Sequence, residues 1–509
     1  MLIRVAFRTL GCKLNQLETE SLADAFRRAG ASVVGFDEAA EIYLVNTCTV
    51  TGKAEQKARR LVRTTLASRP GAVVIATGCY AAVDAAGLSA LHERALVIPG
   101  GEKSLILSLA PYLAENWQGH GDLFDAILEW RRGSAAGADP FAFLPEEFSF
   151  HSRPSLKVQD GCDNRCSYCR VCIARGPSRS LSADLALERL RALEASGRAE
   201  AVLTGVNLSQ YRDGGRDFPG LLRFLVEGTS RIALRLSSYE PDRVDEAFLE
   251  VFASPRVRPH IHLPVQSGSD AILGRMGRGY RSRSVRESCD ALRRAKGDPF
   301  LAADIIAGFP GETDADFAES LSLARDCGFA WIHAFPFSAR PGTKAEAMRP
   351  RVPERIAGER VSALSALAHE GRAAYLARYS GAELEAVLEA AVPIADSAAT
   401  EASGSNTAPP LGASHTATHA MASDGGLSAR YATSENYLKL LVKGLPTLGG
   451  TAPRGGMAVR CRIVPFAEAL ADTASDVAAV DDASLGSEDA LAEFIAFPAE
   501  AGSMRYPPS

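Results

Sequence analysis

The chain has 509 residues, 46% hydrophobic and 23% charged, with a formal net charge of −5. This length calls for more than one domain at ~100–200 residues each, the balance is that of a globular protein, and no apolar run reaches the ~18 residues that would span a membrane. Residues 466–509 hold nine acids and one arginine, a net of −8, which leaves +3 on residues 1–465; such a body can bind RNA, although charge alone makes no case for it.

The N-terminal Met-Leu-Ile-Arg-Val-Ala-Phe-Arg reads as an alternating strand, not a signal peptide. Ten cysteines without a secretory signal predict a reducing, cytoplasmic setting in which thiols serve metals or catalysis. Residues 1–114 alternate predicted strands (4–9, 42–46, 73–77, 96–98) with predicted helices (16–29, 52–68, 103–114), an α/β unit with a parallel sheet. Cys12, Cys48 and Cys79 each follow one of the first three strands. Loops beyond strand C-termini share one sheet edge, where ligands bind, so the three thiols are expected to converge. The competing reading is three unrelated buried thiols. Residues 115–150, with Gly, Ala and Pro clusters, read as a connector.

From 151 to 380 the β/α alternation returns, with predicted strands at 155–159, 201–204, 231–236, 260–263, 301–306 and 332–335. Six such units form a partial or complete barrel with its active site at the strand C-terminal face. Just after the first of these strands stands Cys162-Asp163-Asn164-Arg165-Cys166-Ser167-Tyr168-Cys169, a C-x3-C-x2-C triplet. Three thiolates this close can hold an iron–sulfur cluster by three irons, leaving the fourth open for a substrate or cofactor. Zinc normally takes four ligands in two separated pairs, and Cys172 could supply a fourth thiolate to a sealed cluster; both readings compete with the open one. Polar turns after later strands place Thr204, Gly205, Asn207, Ser237 and Gln266 as candidates for holding a polar cofactor, each of which could equally be an ordinary turn residue. Arg59, Arg60 and Arg63 could track phosphate or form a solvated helix face. Arg275, Arg278, Arg281 and Arg283 surround Tyr280, which could stack on a base.

Residues 381–465 read as a small antiparallel β-barrel. It is interrupted by an Ala-, Ser-, Thr- and Gly-rich insertion at 395–426, where His415 and His419 sit in low-complexity surroundings. The acidic, Ala-rich 466–509 reads as a disordered or loosely helical tail.

Together these residues resemble the radical S-adenosylmethionine methylthiotransferases. Cys162, Cys166 and Cys169 match the family's radical signature, Cys12, Cys48 and Cys79 match its N-terminal triplet, and the small barrel looks like its TRAM module. The resemblance covers roughly residues 1–465. Cys12-Lys13-Leu14-Asn15 and Gly161-Cys162-Asp163-Asn164 are most similar to the MtaB-type branch, which acts on threonylcarbamoyladenosine at tRNA position 37. Val171-Cys172-Ile173 departs from the apolar pair usual after the third radical-site cysteine, and the reading makes Cys172 a packing thiol.

The resemblance implies two [4Fe–4S] clusters and S-adenosylmethionine. It implies a 5′-deoxyadenosyl radical that takes the hydrogen from adenine C2, and a second cluster that delivers the sulfur. Side-chain acids and bases do not remove such a hydrogen readily, so a cofactor must. The implied partners are a tRNA anticodon stem-loop and a reductant such as flavodoxin or ferredoxin. Two other functions remain open at this point: a methylthiotransferase acting on another tRNA adenosine or a ribosomal protein, and an RNA-binding electron-transfer protein with two sealed clusters.

Overall fold

Strand-forming runs separated by amphipathic helices make up the larger part of the described residues, and short strands make up the described part after residue 382. A computed structural model describes residues 3–389, apart from 118, 120, 135–138 and 149, together with 427–446, 453–464 and 490–497. The insertion 395–426, with His415 and His419, lies outside the described residues.

The N-terminal unit is a five-stranded parallel sheet of β1 (Arg4–Thr9), β2 (Ser32–Val34), β3 (Ile42–Thr47), β4 (Val73–Gly78) and β5 (Ala95–Val97), in the order β2-β1-β3-β4-β5. The central β3 and β4 are buried along their whole length, as strands covered on both faces must be. Alternate residues feed two cores. Val5, Ile42 and Leu44 pack with Leu22 and Phe26 of α1 (Lys13–Arg28), while Ala6, Tyr43 and Val45 pack with Val62 of α2 (Gly52–Ser68). The three-residue strand β2 is too short for the alternation pattern to reveal. The connector contains a helix, Leu123–Gly133, capped by Asp122, that buries Ile127 and Trp130 against the first core.

The central unit follows with β6 (Ser155–Lys157), a small antiparallel pair β7 (Gln159–Asp160) and β8 (Arg179–Ser180), then β9 (Glu200–Thr204), β10 (Ala233–Leu236), β11 (His260–Gln266), β12 (Phe300–Ala307) and β13 (Trp331–Pro336). Strands β6-β9-β10 and β11-β12-β13 are parallel triplets, joined by the parallel bridge Ser238↔His262. This is a partial (β/α)6 barrel with one continuous apolar core. Among the described residues β6 and β13 do not pair, so the barrel is open on one side. Helix α1 packs beside β6 there.

The C-terminal unit is a closed barrel of β14 (Glu383–Leu388), β15 (Leu427–Ser434), β16 (Lys439–Pro446), β17 (Ala458–Val464) and β18 (Ala490–Ala496), ordered β14-β15-β16-β18-β17. Within the segment expected to be a disordered or loosely helical tail, Ala490–Ala496 is instead a strand, a correction confined to the described residues. Ala490 and Ala492 are buried between β16 and β17, and β18 hydrogen-bonds to both. Alternation in Ala-Leu-Ala-Glu-Phe-Ile-Ala is masked by small alanines on the inward side.

The two barrels meet at the floor of the central one. Glu200 accepts hydrogen bonds from Arg235 (2.6 Å) and Arg258 (2.9 Å); Arg235 also donates to the Ser434 carbonyl (3.0 Å), and Arg258 pairs with Glu385. Tyr437, on the β15–β16 turn at φ 67°, places its ring 4.1 Å from that of His260. Burial works to raise the Glu200 carboxyl, but Arg235, Arg258 and Arg153 hold it down at about 2. A carboxylate depressed by folding stabilises the fold above its unfolded value of 4.5 and loses that contribution as pH falls towards 2.

Two outcomes are expected. Glu200→Gln flattens the acid limb of the stability–pH profile, removing a contribution on the order of 3 kcal/mol present above pH 4.5; urea unfolding at a series of pH values checks it. A chain ending at Pro465 lacks β18, leaves β16 and β17 with open edges, and lowers the melting temperature of the C-terminal barrel by more than about 4 °C, read by calorimetry.

Candidate active site

Cys12, Cys48 and Cys79 stand at the C-terminal ends of β1, β3 and β4. Cys12 is the residue before α1, and Cys79 opens a short helix, Cys79–Val83. A polar girdle ties these ends together. Asn15 donates to the carbonyls of Leu10 (2.8 Å) and Thr47 (3.1 Å), Asn46 donates to the Asn15 carbonyl (2.9 Å), and Thr47 donates to the Thr77 carbonyl (2.5 Å). Gly78, at φ 99°, lies where a Cβ would meet the Thr47 carbonyl oxygen at 2.4 Å, so the β3 and β4 ends can close only around glycine. The three thiols are close enough to act on one another: burial, then Cys12 and Cys79, push the Cys48 thiol up to about 12.

The second triplet lies on the loop after β7. Gly161, at φ 73°, presses against the Pro177 carbonyl oxygen, which a Cβ would meet at 2.0 Å. The loop is further held by Gln159, which donates to the Gly161 carbonyl (2.8 Å), and by Ser167, whose backbone N–H donates to the Met276 carbonyl (2.8 Å). Burial, then Cys166, Cys172 and Cys162, push Cys169 up to about 12. Arg278 donates to the Cys166 sulfur at 3.2 Å and pairs with Glu240. Burial raises the Glu240 carboxyl despite this partner.

A cleft of about 300 Å³ opens between the two units. The barrel contributes the second triplet, Asn207, Ser238, Glu240, Gln266 and Asp304, and the N-terminal unit contributes Thr49, Val50 and Thr51. Cys172 also lines the cleft. Of the five cofactor candidates, the structure brings Asn207 and Gln266 to the wall; Asn207 hydrogen-bonds toward Cys162, and Gln266 sits at φ 65° at the end of β11. Thr204, Gly205 and Ser237 do not reach it. Thr204 is buried in the sheet, Gly205 packs against Gln159, and Ser237 is turned inward with its hydroxyl unpartnered. Ser238, Glu240 and Arg278 are the wall residues that the polar-turn reasoning missed.

The expected RNA-stacking cluster is corrected. Tyr280 is 2% exposed, its hydroxyl donates to the Pro264 carbonyl, and Arg278 faces inward over its ring. Arg275 donates to the Pro310 carbonyl (3.0 Å) and braces a loop. Arg281 and Arg283 are exposed. In the other cluster Arg59 donates to the Tyr80 hydroxyl (2.6 Å), while Arg60 and Arg63 are exposed.

A buried charge network joins the triplets. Val171–Arg175 is a short helix leading from Cys169 to Arg175. Arg175 reaches Glu18 (3.0 Å) and Asp160 (3.1 Å) and donates to Asn15 (2.8 Å). Lys103 and Lys157 complete the cage around Glu18. Burial opposes the Glu18 carboxylate, yet Arg175, Lys103 and Lys157 hold it well below the ordinary carboxylate range. Higher up, Glu55 of α2 pairs with Arg170 (2.9 Å) and Arg340 of the barrel.

Two all-sulfur donor sets, each with an arginine in its electrostatic reach, fit iron–sulfur clusters: thiolates suit soft iron–sulfur centres, and nearby cations offset the cluster's negative charge. Among the described residues no group of three or more His, Cys, Asp or Glu side chains is gathered for a single metal ion.

Residues 4–99 match the Uncharacterized protein family UPF0004, and residues 156–324 match the Radical SAM superfamily. The Threonylcarbamoyladenosine tRNA methylthiotransferase MtaB of Treponema pallidum (strain Nichols) is 43% identical over 440 residues, covering 76% of this chain and 91% of the relative. The chain belongs to the MtaB methylthiotransferase family. The MtaB of Aquifex aeolicus (strain VF5) is 34% identical, covering 76% of this chain and 93% of the relative. A tRNA-2-methylthio-N(6)-dimethylallyladenosine synthase from Cereibacter sphaeroides is 33% identical, covering 76% and 88%. Among solved structures, the radical S-adenosylmethionine methyltransferase TsrM of Kitasatospora setae, with cobalamin and a [4Fe-4S] cluster bound, is 15% identical with a TM-score of 0.48. It covers 68% of this chain and 77% of that one, a likeness too low to bear on chemistry.

Glu18→Gln leaves Arg175, Lys103 and Lys157 buried around a neutral amide. The expected cost is about 3–5 kcal/mol of stability, measured by denaturant unfolding, with the N-terminal unit becoming more protease-sensitive.

Proposed function

We propose that this chain transfers a methylthio group to C2 of N6-threonylcarbamoyladenosine at position 37 of tRNA. The observation that carries the reading is the presence of two cysteine triplets, one at the strand ends of the N-terminal unit and one on the barrel loop that lines the cleft, tied together by the Glu18–Arg175 network in a chain of the MtaB family. Cys162, Cys166 and Cys169 would hold one [4Fe–4S] cluster with an open iron, and Cys12, Cys48 and Cys79 the other. When bound, these clusters with S-adenosylmethionine would supply a 5′-deoxyadenosyl radical that removes the C2 hydrogen, the sulfur that is transferred and, from a second S-adenosylmethionine, its methyl group.

The chain's own residues confine and orient. Asn207 and Gln266 hold the polar part of S-adenosylmethionine at the cleft wall, with Glu240 beside them. Thr204, Gly205 and Ser237 shape the turns behind that wall. Arg278 fixes Cys166 and Glu240 together and sets the charge around the first cluster. Cys172 is a packing thiol, its Sγ directed at the Cys169 carbonyl at 3.8 Å. The target base leaves the anticodon-loop stack to enter the cleft, which is cheap for a loop nucleotide. The exposed Arg60, Arg63, Arg281 and Arg283 are placed to meet RNA phosphate, and the closed C-terminal barrel serves as a TRAM-like RNA-contacting module. A flavodoxin- or ferredoxin-type protein provides electrons, and the setting is cytoplasmic. No helix among the described residues is long and apolar enough to cross a membrane.

Replacing Cys162, Cys166 and Cys169 with alanine is expected to halve the bound iron from about eight atoms and abolish 5′-deoxyadenosine formation. Replacing Cys12, Cys48 and Cys79 is expected to halve the iron while 5′-deoxyadenosine still forms and no methylthio product appears. Iron assay and nucleoside mass spectrometry read both. Unmodified threonylcarbamoyladenosine after incubation of the reconstituted wild type with substrate tRNA would sink the reading.

A further inference from the structure

The exposed side of α2 carries Lys53, Lys57, Arg60 and Arg63. The first three stand at i, i+4 and i+7, so they share one face, with Arg63 a turn further on. The one acid of this helix, Glu55, is turned inward to Arg170 and Arg340. Among the described residues none of the four cations has an ion pair. Cations elsewhere on the surface differ: Arg223 is held by Glu250, Arg286 by Asp326 and Arg378 by Asp298.

Helix α2 starts at the cleft. Thr49, Val50 and Thr51 line it, and Thr51 caps the helix by accepting from the Ala54 N–H (3.2 Å). The Gly52 N–H donates to the Ser338 hydroxyl (3.2 Å) across the junction with the barrel. Ser338 belongs to the loop after β13, which holds two more exposed arginines. Arg349 donates to the carbonyls of Glu346 and Met348, and Arg351 to that of Glu346, with no carboxylate paired to either among the described residues. Arg275 braces this loop through the Arg349 carbonyl (3.1 Å). Between the two groups of cations the rim is apolar. Val50 is 58% exposed, and Phe337 lines the cleft with the Arg351 guanidinium 5.6 Å from its ring centre.

From Lys53 to Arg63 the helix rises ~15 Å, the axial length of about four phosphates of one strand. Two cationic banks beside an apolar rim suit a nucleic-acid strand, whose charge runs along its edge and whose bases offer apolar faces. We propose that α2 and the 338–351 loop form a cradle for the RNA backbone, one bank holding the phosphates on each side of the target nucleotide. This rests on the tRNA reading above and adds where the RNA enters: over the seam between the N-terminal unit and the barrel, with each unit supplying one bank.

The test uses the reconstituted full chain and a fluorescent anticodon stem-loop bearing threonylcarbamoyladenosine, with binding followed by anisotropy from about 50 to 300 mM salt. Each phosphate contact contributes about 0.7–0.9 to the slope of log K against log salt. Lys53→Gln with Lys57→Gln and Arg60→Gln is expected to lower that slope by about 2 to 3 and to weaken binding about tenfold or more at moderate salt. Arg349→Gln with Arg351→Gln is expected to lower it by about 1 to 2. Arg223→Gln with Arg286→Gln and Arg378→Gln removes as much charge as the first triple, but from cations that already have carboxylates, and is expected to leave the slope at the wild-type value. Iron content confirms that each protein is loaded. Wild-type binding that does not respond to salt overturns the inference, and does so even if no variant folds. An equal loss in the control triple also overturns it, because net charge is then the cause. So does an α2 triple that keeps its grip on RNA; if that protein instead loses electron uptake from a reduced flavodoxin, the face belongs to an acidic protein. Failure of the function reading is distinct: the wild type would then bind with these salt dependences and leave the base unmethylthiolated.

Discussion

Glu18 is the residue through which the molecule is assembled. It sits on α1 of the N-terminal unit, 2% exposed, and is met by Lys103 of its own unit and by Lys157 and Arg175 of the barrel. An isolated buried carboxylate would be strongly disfavoured, and so would three buried cations. Each side of the domain junction therefore supplies what the other lacks, and neither can withdraw cheaply. Because Arg175 ends the helix that begins after Cys169, and Glu18 lies two turns into the helix that begins after Cys12, one ionic knot fixes the orientation of two cysteine groups that are distant in sequence. The Glu55 contacts to Arg170 and Arg340 repeat the device nearer the cleft mouth.

Much of the chemistry was legible because cysteines at strand ends and a C-x3-C-x2-C loop are local patterns. The strand-and-helix rhythm of the first two units was legible for the same reason. What stayed hidden depends on parity. A strand residue and its successor face opposite ways, so choosing Ser237 over Ser238, or including Thr204 and Gly205 with Asn207, is a matter of one or a few positions that sequence alone does not resolve. Gln266 was found as a polar-turn residue after its strand, and the structure places it at the cleft wall in a left-handed backbone position at the end of β11.

Charge misled in a similar way. Arginines interleaved with Tyr280 read as an outward RNA-binding face, yet Arg278 and Tyr280 are turned inward to the cluster loop, where a cation and a hydroxyl are needed to hold Cys166, Glu240 and the Pro264 carbonyl. Conversely, the acidic tail concealed a strand because its inward residues are alanines, too small to register as a hydrophobic stripe.

The strands that form the C-terminal barrel come after the whole of the central barrel in chain order. Since domains form from the N-terminus as a chain emerges, Arg258 and Arg235 are in place before Glu385 and the Ser434 carbonyl exist to receive them, and Tyr437 arrives later still. The central barrel thus emerges with an uncapped cationic floor. Glu385, Ser434 and Tyr437 end that exposure as β14 to β16 form, and β18 holds them there by sealing the edges of β16 and β17; until then the underside is open to aggregation and to proteases.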